Sequence, residues 1–197
     1  MKSKKLDQLV LFLIPIGVAV NFVGGQIAIL LRLPVYLDCI GTVVVGALCG
    51  VWPGVLVGVI SNVLNSISSP VTMFYAILSA MFGALAAYLS KKRVFLNLGK
   101  TALSSLLFAF IGGALGACLT WVIYRFDFGS ITSSGYAALL YETLHLPAFL
   151  CQLIGEFGMD LLDKFVCIII VYFVLKAFPN RMLAKLPLGD IYAKEEA

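Results

Sequence analysis

Leu33-Pro34-Val35-Tyr36-Leu37-Asp38 opens the stretch LPVYLDCIGTVVVGALCGVWPGVLVGVISNVLN, residues 33–65, in which small or polar residues recur at every fourth position. The ladder is Asp38, Thr42, Gly46, Gly50, Gly54, Gly58 and Asn62, and Pro53 interrupts it near its middle. A carboxylate begins the stretch, an amide ends it, and lipid-compatible residues fill the rest. Small residues at four-residue spacing let helix backbones approach closely inside a membrane. The stretch therefore predicts an all-α membrane bundle with polar groups gathered at one mouth.

Composition agrees with that reading. Hydrophobic residues make up 61% of the 197 and charged residues 12%, against about 45–50% and 25% in soluble domains, and the mean hydropathy is +1.04. At about 20 residues per crossing, the chain holds some six spans in a single integral domain. The net charge of +4 does not point to nucleic acid, because the basic residues sit at span ends instead of on one face interleaved with aromatics. Lys2, Lys4 and Lys5 precede a long apolar run with no small-residue cleavage site after it, so the first helix is expected to be retained. The five cysteines show no C-x-x-C spacing and read as small core residues; a Cys39–Cys151 bridge is open but unsupported.

Hydropathy places spans near residues 9–31, 37–49, 51–67, 71–89, 101–124 and 147–177. The second and third are short and could form one kinked helix, but charge separates the two cases. With a tight turn at Pro53, eleven basic residues fall on one side of the membrane, at Lys2, Lys4, Lys5, Lys91, Lys92, Arg93, Lys100, Lys176, Arg181, Lys185 and Lys194. Only Arg32 and Arg125 fall on the other. The positive-inside rule then makes both termini cytoplasmic. Between the fifth and sixth spans, the outer connection 125–146 carries a segment that would put Tyr136, Leu139, Leu140, Thr143 and Leu144 on one helical face. That pattern predicts a short interfacial helix, passive or capping a pocket.

Reactive motifs are sparse. Gly99-Lys100-Thr101 ends like a phosphate loop, but Val94 stands where the first glycine is required. His145 is the single histidine, which excludes paired-histidine metal sites. No catalytic residue, metal or cofactor is expected in this chain. The last span differs, because Gln152, Glu156, Asp160, Asp163 and Lys164 interrupt an apolar helix. Counting at 1.5 Å per residue from Lys176 sets Glu156 about 30 Å away, at the outer boundary. Each acid costs on the order of 2.5–3.5 kcal/mol at mid-membrane, more than the apolar residues around it return. This face must therefore look into the bundle or a water-filled cavity. Asp160 and Lys164 have the favourable order for an i,i+4 pair, leaving Glu156 and Asp163 to water, ligand or other helices. Asp38 is expected at the outer end of the second helix, as an N-cap or a ligand contact, and Asn62 and Asn65 end the third at the same level. Tyr75 and Trp121 offer flat walls, and Asn21 and Gln26 add amides. The candidate substrate-binding set is Asp38, Asn62, Asn65, Tyr75, Trp121, Gln152, Glu156 and Asp160. Such an acidic mouth favours a substrate bearing an amine or protonated ring nitrogen.

Ala76, Ala80 and Ala84, like Ala109, Gly113 and Ala117, repeat at four-residue intervals, for internal packing or for docking another membrane protein. In architecture, and in Leu33–Asp38 with Gly41-Thr42, the Gly46–Asn62 ladder, Asp163-Lys164 and Lys176-Ala177-Phe178-Pro179, the chain resembles the substrate-binding S component of an energy-coupling factor (ECF) transporter. The resemblance implies capture of a water-soluble vitamin or related micronutrient outside the bacterial cytoplasmic membrane. It also implies partners, a transmembrane scaffold and two ATPase subunits that use the ATP. Docking through an Ala-x3-Ala-x3-Ala row on the first helix is usual there; this chain has Gly17, Asn21 and Gly25 instead, with Ala76, Ala80 and Ala84 as an alternative face. An ion-coupled secondary transporter using Glu156, Asp160 and Asp163, or a membrane-embedded enzyme using His145 and the acids, are the other readings of these residues.

Overall fold

The structure, a computed structural model, describes residues 8–129 and 132–193, with only the backbone at residues 132–134. Lys2, Lys4, Lys5, Ser130 and Lys194 lie outside the described residues. All regular structure among the described residues is helical: α1 (Gln8–Leu30), α2 (Ile40–Cys49), α3 (Val51–Asn65), α4 (Ala76–Lys91), α5 (Leu98–Ala109), α6 (Gly116–Ile123), α7 (Thr132–Leu144), α8 (Ala148–Ala177) and α9 (Asn180–Leu183). A 3-10 segment, Pro70–Tyr75, leads into α4, and a π segment, Phe110–Leu115, joins α5 to α6 without a break.

Among the described residues three helices are long and apolar enough to cross a membrane: α1, the continuous Pro70–Lys91 and the continuous Leu98–Ile123. The six spans expected from hydropathy are thus not all matched by helices of spanning length. Two of them, α2 and α3, have 10 and 15 residues, about 15 and 22 Å at 1.5 Å per residue. The 30-residue α8 is long enough, but its charges set it apart from the apolar three.

Polarity is distributed as a bilayer requires. Leu30, Trp52, Ile29, Phe12 and Phe173 point outward, while Asn21, Gln152, Glu156, Asp160, Asp163 and Lys164 are buried. An apolar exterior this extensive marks a surface made for another apolar phase. On α8 the two faces separate cleanly, with Ile154, Leu162, Phe165, Val166 and Ile170 outside and the charged residues inside.

The turn between α2 and α3 falls at Gly50, not at Pro53. Gly50 has φ +98°, and a Cβ there would meet nothing within 4 Å, so this glycine serves the turn and not the packing. Pro53 sits in the first turn of α3, where its missing N–H would have no helical partner anyway. The other ladder glycines are contact points. A Cβ on Gly46 would lie 2.6 Å from the Gly83 carbonyl oxygen, one on Gly54 2.7 Å from Gly46 Cα, and one on Gly58 2.6 Å from the Ser79 carbonyl oxygen. The hairpin thereby packs tightly on α4.

Asn21, a candidate docking residue, is instead fully buried as the polar hub of α1, α2 and α3. Its Nδ2 donates to Thr42 Oγ1 at 2.8 Å and Ser61 Oγ at 3.0 Å, and its Oδ1 accepts the Gly41 N–H at 2.7 Å. Gly17 is also internal, since a Cβ on it would lie 2.9 Å from Val45 Cγ2. Asn21→Leu leaves the Gly41 N–H without its acceptor and is expected to cost about 1–3 kcal/mol. A lowered melting temperature in detergent checks this, and an unchanged one removes the hub.

The other end of the bundle is closed by the chain after α8. Leu183 and Leu186 enter the core, the Leu188 N–H donates to the Leu48 carbonyl at 3.0 Å, and the Tyr192 hydroxyl donates to Ser90 Oγ at 2.7 Å. Partial burial pushes the Tyr192 phenol up to about 12, so it remains a donor across ordinary pH.

Candidate functional site

A cavity of about 570 Å³ opens between α1, the loop 31–39, α3, the Pro70–Tyr75 segment, α4, the π segment and α8. Its volume lies within the roughly 300–1,000 Å³ of small-molecule sites. Arg32, Ser68 and Ser69, all exposed, stand at its open side, and the buried Glu156, Asp160 and Lys164 line its depth.

The structure brings six of the eight expected substrate-binding residues to this cavity: Asp38, Asn62, Asn65, Tyr75, Glu156 and Asp160. Gly25 and Gln26 of α1 also line it. Trp121 does not. It packs edge-on against Phe149 at 5.6 Å between ring centroids and against Phe126 and Phe128 at 6.4 Å. Nor does Gln152 line the wall; fully buried, it donates from Nε2 to Glu156 Oε1 at 2.7 Å. No described residue of α7 lines the cavity.

Asp38 lines the cavity without capping α2, whose N-cap is Cys39 with no side-chain cap bond. Asp163, expected to face water, ligand or another helix, performs the loop-binding task. Its Oδ1 accepts the N–H groups of Tyr36 and Leu37, each at 2.8 Å, which fixes the loop that carries Asp38. Lys164 is shared: its Nζ lies 2.6 Å from Asp163 Oδ2 and 3.4 Å from Asp160 Oδ1. The adjacent residue, not the expected i−4 residue, is thus the nearer partner. The same ammonium sits 4.9 Å from the Phe82 ring centroid and 5.8 Å from that of Tyr36, a cation–π setting that helps hold a desolvated charge.

Cys39, Asp163 and Cys167 place their ligand atoms within 4.8 Å of one another. The Asp163 oxygens already accept two N–H groups, the Lys164 ammonium and the Cys167 thiol, which makes this a hydrogen-bonded core set. All five cysteines are free, so the Cys39–Cys151 bridge does not form.

One turn from Asp160 on α8, Glu156 accepts from Gln152 at 2.7 Å. Thr120 Oγ1 is 2.6 Å from the Tyr75 hydroxyl. This bond between the two hydroxyls fixes the Tyr75 ring against the cavity. Tyr75→Phe removes this anchor and is expected to loosen ligand binding by about three- to tenfold, on the order of 1 kcal/mol; a ligand titration of the variant checks it.

Space for Asp160 comes from a glycine. An ideal Cβ on Gly112 would overlap Asp160 Oδ2, whereas one on Gly116 would make ordinary contact with Glu156 Oε2 at 3.5 Å. Gly112 belongs to the π segment, and such bulges are frequent at functional sites. Sequence reading missed Gly112, because a π bulge leaves no signature in hydropathy, and Phe82 and Tyr36, which meet Lys164 only once α4 and the loop 31–39 pack on α8. Ala76, Ala80 and Ala84 are each partly covered on α4 and line no part of the cavity.

Comparison of the chain with protein-family models, with curated proteins and with solved structures finds no match.

Proposed function

We propose that this chain is a solute-capturing membrane subunit, the S component of an ECF-type importer for a vitamin-like micronutrient. In this reading α1, α2, α3, Pro70–Lys91, Leu98–Ile123 and α8 form six spans of the bacterial cytoplasmic membrane, with both termini inside. The short α2 and α3 cross with help from the segments that flank them. The cavity opens outward and takes one small water-soluble molecule, and a separate scaffold with two ATPase subunits supplies the energy. Partner contact then falls on small-residue rows at the lipid-facing surface, of which the Ala76, Ala80 and Ala84 row is the candidate that remains partly exposed.

The observation that carries the reading is the cavity itself: the buried Asn62 of α3 and Glu156 and Asp160 of α8, joined by the partly buried Asp38 and Asn65, converge on one solute-sized space inside a bundle with an apolar exterior. Isolated ionised groups at that depth are too costly to keep without a use. Orientation is tested by single-cysteine labelling in intact cells, in a background lacking the native cysteines. Ser68→Cys, at the open side, is expected to react with a membrane-impermeant maleimide, and Lys92→Cys only after permeabilisation. The reverse pattern overturns the outward-facing cavity.

A further inference from the structure

We infer that the cavity selects a small organic cation, whose N–H donors bind the free oxygen of Asp160 with Glu156 one helical turn away as second acceptor. The inference rests on the cavity being the solute site proposed above.

Charge pairing inside the cavity is incomplete. Lys164 and Asp163 lie 2.6 Å apart and balance each other, so Asp160, Glu156 and Asp38 remain as lining carboxylates. The other lining cation, Arg32, is exposed at the open side. Asp160 is 4% exposed, and while its Oδ1 reaches Lys164 at 3.4 Å, its Oδ2 has no hydrogen-bond partner. A buried carboxylate oxygen without a donor is costly. Gly112 leaves the room that this oxygen needs, since any side chain there would collide with it. The missing component is a donor that brings positive charge, and none of the described residues supplies it.

Glu156 is placed to share that donor. At i,i−4 on α8 its Cβ lies about 5–6 Å from that of Asp160, within the reach of one group carrying several N–H bonds. One of its acceptor sites is used by Gln152, and a carboxylate offers about four. Tyr75, Phe82 and Leu78 give the rest of the wall an apolar and aromatic surface, which suits a flat organic frame better than a hydrated metal ion. Anionic solutes meet uncompensated like charge.

Three probes of nearly one shape test the charge preference: benzamidine, benzamide and benzoate, titrated into the detergent-purified full chain at constant ionic strength, with sodium chloride alone as a fourth arm. Benzamidine is expected to bind at least about tenfold more tightly than either analogue, the margin of one charge-assisted hydrogen bond, and Asp160→Asn is expected to abolish that margin. Lys164 keeps Asp163 in this variant. Should it fail to fold, Glu156→Gln carries the same test, with a loss of about tenfold. Equal binding of benzamide or benzoate overturns the cation preference while leaving the cavity as a solute site. A sodium effect equal to that of benzamidine overturns the organic ligand, and no benzamidine binding overturns the inference altogether. The labelling at Ser68 and Lys92 decides orientation independently of all four arms.

Discussion

Asp163→Ala is expected to destabilise the folded protein by about 3–5 kcal/mol, because it leaves the buried Lys164 ammonium without its closest counter-charge. Two losses combine at this residue. Lys164 keeps only Asp160, at 3.4 Å instead of 2.6 Å, and the Tyr36 and Leu37 N–H groups lose the oxygen that both share at 2.8 Å. The loop that presents Asp38 is thereby released, so solute binding falls together with stability. A second substitution separates the charge from the loop. In Asp163→Ala with Lys164→Met the unpaired cation is gone, and part of the stability is expected to return, since replacing both members of a buried pair by apolar groups is often neutral. Solute binding does not return with it, because the loop is still untied. Melting temperatures of the single and double variants, with a binding titration on each, check the two parts. A double variant no more stable than Asp163→Ala would show that the pair is not what this residue serves.

Gly41→Val has the second large expected effect. Even a Cβ at this position would lie 2.0 Å from the carbonyl oxygen of Gly17 and 2.6 Å from its carbonyl carbon. Both are backbone atoms that cannot rotate away, so α1 and α2 must part, and with them the bond from the Gly41 N–H to Asn21 Oδ1. Overpacking costs about 1–3 kcal/mol and occasionally more, and valine should reach or exceed the upper figure. Gly158→Ala is the matched control. A Cβ there meets nothing within 4 Å, and alanine is better than glycine in a helix by up to about 1 kcal/mol, so this variant is expected to melt at or above the parent temperature. Equal destabilisation by both substitutions would show that close approach of the helices is not the source of the effect.

Much of this architecture is legible in residue order. A polar face on an otherwise apolar α8 can only turn inward in a membrane, and Asp160 and Glu156 do. The ladder of Gly46, Gly54 and Gly58 states close packing without saying against what; α4 is the answer, through Gly83 and Ser79. Where reading from the sequence erred, local rules were outvoted by neighbours distant in sequence. Pro53 looked like the turn because proline breaks helices, yet the first turn of a helix tolerates it, and Gly50 supplies the positive φ one turn earlier. Lys164 does pair with Asp160 as helical spacing suggests, at 3.4 Å, but spacing did not show Asp163, which stands nearer at 2.6 Å and also holds N–H groups 126 and 127 residues away. Asn21 is a docking candidate only by its place in the first-helix row that the resemblance implies; its partners, Thr42 and Ser61, become neighbours only once the hairpin has folded. Trp121 is an aromatic at the expected level of the membrane, but a helical position does not say which side it faces.

The central claim is a division of labour, in which this chain captures the solute and other subunits move it. Its most direct test is tandem purification of the tagged full chain, co-expressed with an ECF scaffold and ATPase pair from the same organism, followed by reconstitution into liposomes. A complex with scaffold and both ATPases in fixed proportion, whose solute uptake requires ATP, is expected. A chain that purifies alone and takes up solute in response to a proton or sodium gradient would contradict the account, and would return Glu156, Asp160 and Asp163 to the role of an ion relay.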